Sequence, residues 1–234
     1  MSTIDPAVTL ASLVAEQPGS VMLLERLHLD YCCGGGQTLV EACTGRGLDL
    51  DTVVAALETI HAVENNRGSR DTLDWREASV EDLCSHIIAQ HHAYLRQALP
   101  RLHELVATVI RVHGATHPEL AELGETFERL RSELEPHLAS EEDRLFPACI
   151  AAERGNSAVD EELLREHEHD HACVGAALDR LREQTNGYAD DGALCATHQT
   201  LLRALAHLER DTHQHVHKEN NILFTHVRQR ACVR

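Results

Sequence analysis

The sequence predicts an all-α protein, an up-down four-helix bundle preceded by a small helical domain. Three observations predict it. Aromatic residues make up only 3% of the chain while Leu, Ala, Glu and Arg recur in long runs. Four long C-terminal segments carry apolar residues at helical spacing. The segment HLASEEDRLFP (137–147) returns as HVHKENNILFT (215–225), each placing a His four residues before a Glu. Residues four apart share a helix face, so each copy aims an imidazole and a carboxylate the same way.

The 234 residues suffice for a sizeable core. Residues 6–61 read as short helices of roughly ten residues. Pro6 marks a helix start, Pro18-Gly19 a break, Gly34-Gly35-Gly36 a loop and Gly45/Gly47 a stop. The polar, nonperiodic stretch from Glu64 to Asp74 is the expected linker, dividing a domain over 1–65 from a bundle over 75–234. The bundle segments fall at about 79–112, 117–152, 160–185 and 192–230, joined at His117-Pro118, Gly155-Asn156 and Asn186-Gly187.

A formal charge of −17 argues against a nucleic-acid or anionic-membrane partner. No apolar run reaches spanning length, and MSTIDPAVTL lacks a basic, apolar leader, so a cytoplasmic protein is expected. Eight Cys in that compartment are expected as reduced thiols. Cys43, Cys84, Cys149, Cys173, Cys195 and Cys232 lie among Ala, Leu and Val and read mostly as small buried hydrophobes. Cys32 and Cys33 stand apart, before three glycines whose free backbone N–H groups would lower a thiol pKa.

Eighteen His residues are the compositional anomaly. A solitary HxxxE is usually a solvated ion pair. Here Leu130, Leu134, His137, Glu141 and Leu145 share one stripe, as do Leu205, Leu208, Thr212, His215, Glu219 and Ile222. Carboxylates on a core face are costly unless paired or bound to metal. The repeat extends backwards, because His92 precedes His137 by nearly the interval at which His171 precedes His215. In the first bundle helix His92 is in register with Ile88, Leu95 and Leu99, with His91 also near that stripe, and in the third His167 and His171 align with Leu164, Val174, Leu178 and Leu181, His167 one turn before His171. The set His92, His137, Glu141, His171, His215 and Glu219 has mixed N/O donors and no obligatory thiolate. That suits iron or manganese with open positions better than structural zinc. Glu133 and Asp170 stand nearby as candidate outer acceptors or proton carriers.

With these motifs in hand, the chain resembles the RIC (repair of iron centres) family, the YtfE/ScdA group, over nearly its whole length. The resemblance rests on Asp30-Tyr31-Cys32-Cys33-Gly34-Gly35 and on HHAYLRQALP (91–100), HLASEEDRLFP, DHACVGAALDRLREQTN (170–186) and HVHKENNILF. It implies a hemerythrin-like bundle in which His92, His137, His171 and His215 hold two irons, with Glu141 and Glu219 bridging and a µ-oxo link. It also implies a cytoplasmic, often dimeric protein that protects or repairs iron–sulfur clusters under oxidative or nitrosative stress. Damaged cluster proteins would be its partners, and NO and O2 candidate ligands. Cys32 and Cys33 would serve redox chemistry or iron transfer, with Glu133 and Asp170 as proton carriers.

The familiar Glu-His-Asp triplet occurs here as Glu168-His169-Asp170, which would select His169. That register requires a two-residue shift inside a helix, a rotation of about 200° for everything downstream, so His171 is the expected ligand. Thr225 replaces the family's Pro after Leu-Phe. Competing readings are NO reduction to nitrous oxide at the same centre, a hemerythrin-type O2 carrier or sensor, and a metal-free bundle.

Overall fold

The computed structural model describes residues 4–66 and 74–231. The N-terminal region holds α1 (Leu10–Glu16), α2 (Val21–Arg26), α3 (Leu39–Arg46) and α4 (Leu50–Asn66). Helix α1 starts not at Pro6 but at Leu10, because the Thr9 side chain accepts from Ser12 N. Thr38 and Glu41 form a capping box at the start of α3. Helix α3 runs through Gly45 and stops at Gly47, whose φ of 65° closes the end. Helix α4 continues to Asn66, so the first residues of the expected linker are helical. Residues 67–73 of that stretch lie outside the described residues, as does Cys232.

Four arms follow. The first joins α5 (Val80–Ile87) to α6 (Ala93–His113), and the second joins α7 (Glu119–Ser140) to α8 (Phe146–Glu153). The third is α9 (Glu161–Gln184), and the fourth joins α10 (Ala196–His217) to α11 (Phe224–Ala231). Helix α6 packs on α7 and α10, and α9 on α7 and α10, which closes a four-helix bundle. No strand occurs among the described residues, only an isolated bridge between Thr9 and Thr38. No described helix is long and apolar enough to cross a membrane.

Two apolar clusters fill the bundle. One contains Leu99, Phe127, Leu130, Leu178 and Leu205, and the other Leu83, Ile87, Phe146, Leu164 and Phe224. In every arm the metal-competent residues fall between the stretches that feed these clusters. A polar layer therefore sits inside an apolar core. Three arms change winding at that layer, through π-helical segments at Ile88–His92, Glu141–Leu145 and Lys218–Leu223. A π turn carries one extra residue, so neighbours that an α-helix would separate can both face inward. His91 and His92 are both buried for this reason.

A third cluster around Leu10, Leu13, Leu24, Leu39 and Leu57 forms the N-terminal core. Its Cys-bearing loop sits against the bundle. Asn221 Nδ2 donates to Cys32 O at 2.9 Å, His217 Nδ1 lies 3.2 Å from Tyr31 O, and Arg210 Nε donates to Glu25 Oε2 at 3.1 Å. Burial holds His217 down to about 4, so it meets the carbonyl as a neutral donor. Of the Cys read as small hydrophobes, Cys43, Cys84 and Cys149 are buried. Cys173 is exposed, and half-buried Cys195 caps α10 by accepting from His198 N.

Gly35 lies at the seam between loop and bundle. A Cβ there would approach Asn221 Oδ1 to 2.6 Å and Tyr31 O to 2.7 Å, and the carbonyl is backbone that cannot rotate away. Gly35→Ala is expected to destabilise the full chain by about 1–3 kcal/mol, the usual scale of overpacking. Urea denaturation measures this, and an unchanged midpoint would show that the loop is free to move off the bundle.

Candidate metal centre

The structure brings His92, His137, Glu141, His171, His215 and Glu219 together in the polar layer, none more than 5% exposed. Each carboxylate divides its two oxygens between two imidazole pairs. Glu141 Oε2 lies 3.2 Å from His92 Nε2 and 3.8 Å from His215 Nε2, while its Oε1 lies 2.8 Å from His137 Nε2 and 3.5 Å from His171 Nε2. Glu219 Oε1 lies 3.0 Å from His215 Nε2, and Oε2 lies 3.0 Å from His171 Nε2. Two four-residue sets result, His92/His215 and His137/His171, each completed by the same two Glu.

The donor set fits cations. His137 Nε2, Glu141 Oε2 and Glu219 Oε2 are buried without a hydrogen bond of good geometry, although opposite charge is close by. Ligand atoms aimed at a common third atom have this arrangement. Burial pushes the Glu141 carboxyl up, but hydrogen bonds from His137, His171 and His92 outweigh it and hold the group well below the usual range. Burial and the Glu141 charge raise Glu219, yet His215 and His171 bring it below the ordinary value. Burial lowers His171, and the two carboxylates raise it well above an ordinary imidazole. The layer demands positive charge, which protonated His or bound cations can supply.

Outer partners fix three of the four rings. His92 Nδ1 lies 2.6 Å from Glu142 Oε1, which also accepts from Arg96 at 2.7 Å. His171 Nδ1 lies 2.8 Å from Asn220 Oδ1. His137 Nδ1 lies 3.3 Å from Asp170 Oδ2, so Asp170 serves His137 rather than its sequence neighbour His171. A proton held on Nδ1 leaves the Nε2 lone pair facing the centre. Glu142 and Asn220 escaped sequence reading. An acid or amide directly beside a ligand was the one available signal, and it is too common to single out. Half-buried Glu133 shares a cleft of about 510 Å³ with His137 and Asp170. His169 is exposed, 3.8 Å from Cys173 Sγ, and takes no part in the cluster.

The Cys loop differs from expectation in one respect. The backbone N–H groups of Cys32, Cys33 and Gly34 donate to the Asp30 carboxylate, not to a thiolate. Cys33 is nevertheless lowered, first by the hydrogen bond from Cys32, whose own thiol is raised. The two Sγ atoms are 4.0 Å apart, and Cys33 Sγ lies against Gly175, one turn past His171 on α9. Both Cys line a cavity of about 310 Å³ with Asp179, Arg182 and His213.

Two outcomes follow from this geometry. A raised imidazole pKa stabilises below its ordinary value near 6.5 and ceases to do so as pH climbs through the folded value. A depressed carboxylate stabilises above about 4.3 and ceases to do so as pH falls through the folded value. In metal-free protein the layer's own contribution to stability should therefore be largest between about pH 4.3 and 6.5 and decline above that window as His92, His137 and His171 deprotonate, whereas the lowered His86 and His217 act in the opposite sense. Calorimetric melting across pH checks this. Separately, Glu142→Gln or Asn220→Ala should weaken metal retention by roughly 10–100-fold in chelator competition, the usual effect of losing an outer partner.

Comparison with known proteins agrees with this architecture. Residues 84–227 match the Hemerythrin HHE cation binding domain, and residues 7–61 match ScdA_N, a domain of unknown function (DUF542). The iron-sulfur cluster repair protein YtfE of Pectobacterium atrosepticum is 34% identical over 216 residues, covering 92% of this chain and 94% of that protein. The iron-sulfur cluster repair protein ScdA of Staphylococcus haemolyticus is 30% identical over 216 residues, covering 92% and 95%. YtfE of Yersinia pestis is 31% identical over 216 residues, covering 92% and 94%. With a hemerythrin cation-binding domain over most of its length and relatives that match it almost end to end, the chain belongs to the ScdA/YtfE family of hemerythrin-domain proteins.

Proposed function

We propose that this chain repairs damaged iron–sulfur clusters in cytoplasmic client proteins and holds two irons in the polar layer. His92 and His215 would hold one, His137 and His171 the other, with Glu141 and Glu219 bridging. The observation that carries this reading is the division of each carboxylate's oxygens between the two imidazole pairs. When bound, the irons supply one-electron redox chemistry and are themselves the cargo a damaged cluster lacks.

The chain's own residues prepare the centre for that use. Glu142, Asp170 and Asn220 hold three rings with Nε2 inward. Glu133 and Asp170 line the cleft at His137 and can move protons between solvent and the layer. Cys33 is the more exposed and the more readily ionised of the pair, and would engage the damaged cluster or its iron. NO and O2 are small enough to share the open positions. Repair stands ahead of NO reduction and O2 carriage because the thiol loop is built onto the bundle beside His171, and neither alternative needs thiols there.

Metal analysis and Mössbauer spectroscopy of anaerobically purified protein should find two coupled irons per chain. Fewer than two in fully loaded protein would overturn the assignment. Cys33→Ser should keep both irons yet slow restoration of an oxidatively damaged cluster enzyme by roughly ten-fold or more.

A further inference from the structure

We infer that the cavity beside Cys33 is a binding site for a zwitterionic low-molecular-weight thiol, whose disulfide form caps Cys33 as a mixed disulfide. This rests on the repair reading above, in which Cys33 engages the damaged cluster, and gives that thiol a reversible cover. The cavity measures about 310 Å³, at the small end of ligand sites. It is lined by the Cys loop and by α9, where Ala172, Gly175 and Ala176 share one helix face. Larger side chains there would fill the space opposite Cys33. A Cβ on Gly175 alone would already lie 4.0 Å from its Sγ.

Glu209 is the observation that asks for a ligand. It lines the cavity and is 2% exposed. Its Oε1 accepts from Arg182 Nε at 2.8 Å, but its Oε2 is buried without a hydrogen bond of good geometry. The neighbouring Tyr188 hydroxyl donates instead to Leu178 O at 3.4 Å. A carboxylate oxygen left so is costly, and a bound ammonium would supply the missing donor. Asp179, close enough to feel the Glu209 charge, adds a second carboxyl to the lining, raised by burial. The same lining carries positive charge. Arg46, at the end of α3, is exposed and makes no hydrogen bond or ion pair among the described residues. Burial and the charges of Arg182 and Arg46 hold His28 down, which keeps its ring neutral. A ligand bearing both an ammonium and a carboxylate answers both kinds of charge.

The reacting sulfur is that of Cys33, which is exposed and lowered, beside a buried Cys32 whose thiol is raised. As thiolate, Cys33 attacks one sulfur of the small disulfide R–S–S–R. The Cys33 S–S bond forms, the small disulfide breaks, and RS⁻ leaves to take up the proton that Cys33 gave to solvent. The disulfide is the oxidant, and one RSH is its reduced product. A second reduced thiol reverses the cap, freeing Cys33 and releasing R–S–S–R. Adjacent Cα atoms lie about 3.8 Å apart, short of the roughly 4.4 Å at which disulfides usually begin. Closure onto Cys32 is therefore strained, and the mixed disulfide persists.

The test treats the full-length protein, its thiols reduced, with glutathione disulfide under anaerobic conditions. Parallel samples receive cystamine, which carries only ammonium groups, or dithiodiglycolate, which carries only carboxylates. Peptide mass mapping gives the rate of modification at Cys33 relative to Cys173, an exposed thiol outside the cavity, so that each reagent's own charge and reactivity cancel. The Cys33-to-Cys173 ratio should be about ten-fold higher with glutathione disulfide than with either one-sided reagent, the worth of one good charged hydrogen bond. Ala176→Leu and Arg46→Gln, both at exposed positions, should each remove most of that preference while leaving iodoacetamide alkylation of Cys33 unchanged. An equal ratio for the three disulfides, or an undiminished preference in either variant, would overturn the site. A matching loss of iodoacetamide reactivity, or a Cys32–Cys33 disulfide in place of the mixed one, would do the same. If the cap forms as described while capped protein still restores a damaged cluster enzyme at the full rate, the part of Cys33 in repair falls and the thiol site stands.

Discussion

Two carboxylates buried in an apolar bundle govern the rest of this structure. Glu141 and Glu219 are fully buried, with leucine and phenylalanine packed on both sides of their layer. An uncompensated pair of negative charges there would cost several kcal/mol. Four imidazoles surround them, and acid or amide partners orient three of the rings from behind. Each arm of the bundle contributes to that compensation. Packing density and charge balance are therefore settled in the same layer, and neither can be altered alone.

Much of this was readable from periodicity. The duplicated HxxxE placed an imidazole and a carboxylate on one face of each of two helices, and the interval between repeats located His92 and His171. The apolar stripe separated His171 from His169, which the structure places at the surface. What periodicity could not reach is set by neighbours from other helices. Asp170 follows α9 outward and meets His137 of α7, which no spacing within α9 encodes. Nor does a 3.6-residue period announce π turns. His91 and His92 looked like alternatives for one inward position, and the extra residue of Ile88–His92 admits both.

The thiol pair teaches a similar lesson about electrostatics. A glycine-rich loop suggested backbone donors for a thiolate. Asp30 takes those donors, and its negative charge opposes ionisation of both Cys. The lowering at Cys33 comes instead from its neighbour's thiol. Adjacent Cys are thus unequal, one buried with its thiol 3.1 Å from Asp30 Oδ1 and 4.0 Å from Cys33 Sγ, the other exposed.

The π turn Lys218–Leu223 has a consequence for how the two helical regions can be separated. Within three consecutive residues it supplies a carboxylate to the metal layer, an amide to the ring of His171 and an amide to the carbonyl of Cys32. The thiol loop is therefore not an accessory on a tether. Its address is written in the same half-turn of backbone that shapes the metal layer, so the bundle cut away from its N-terminal partner would carry a severed half of a joint.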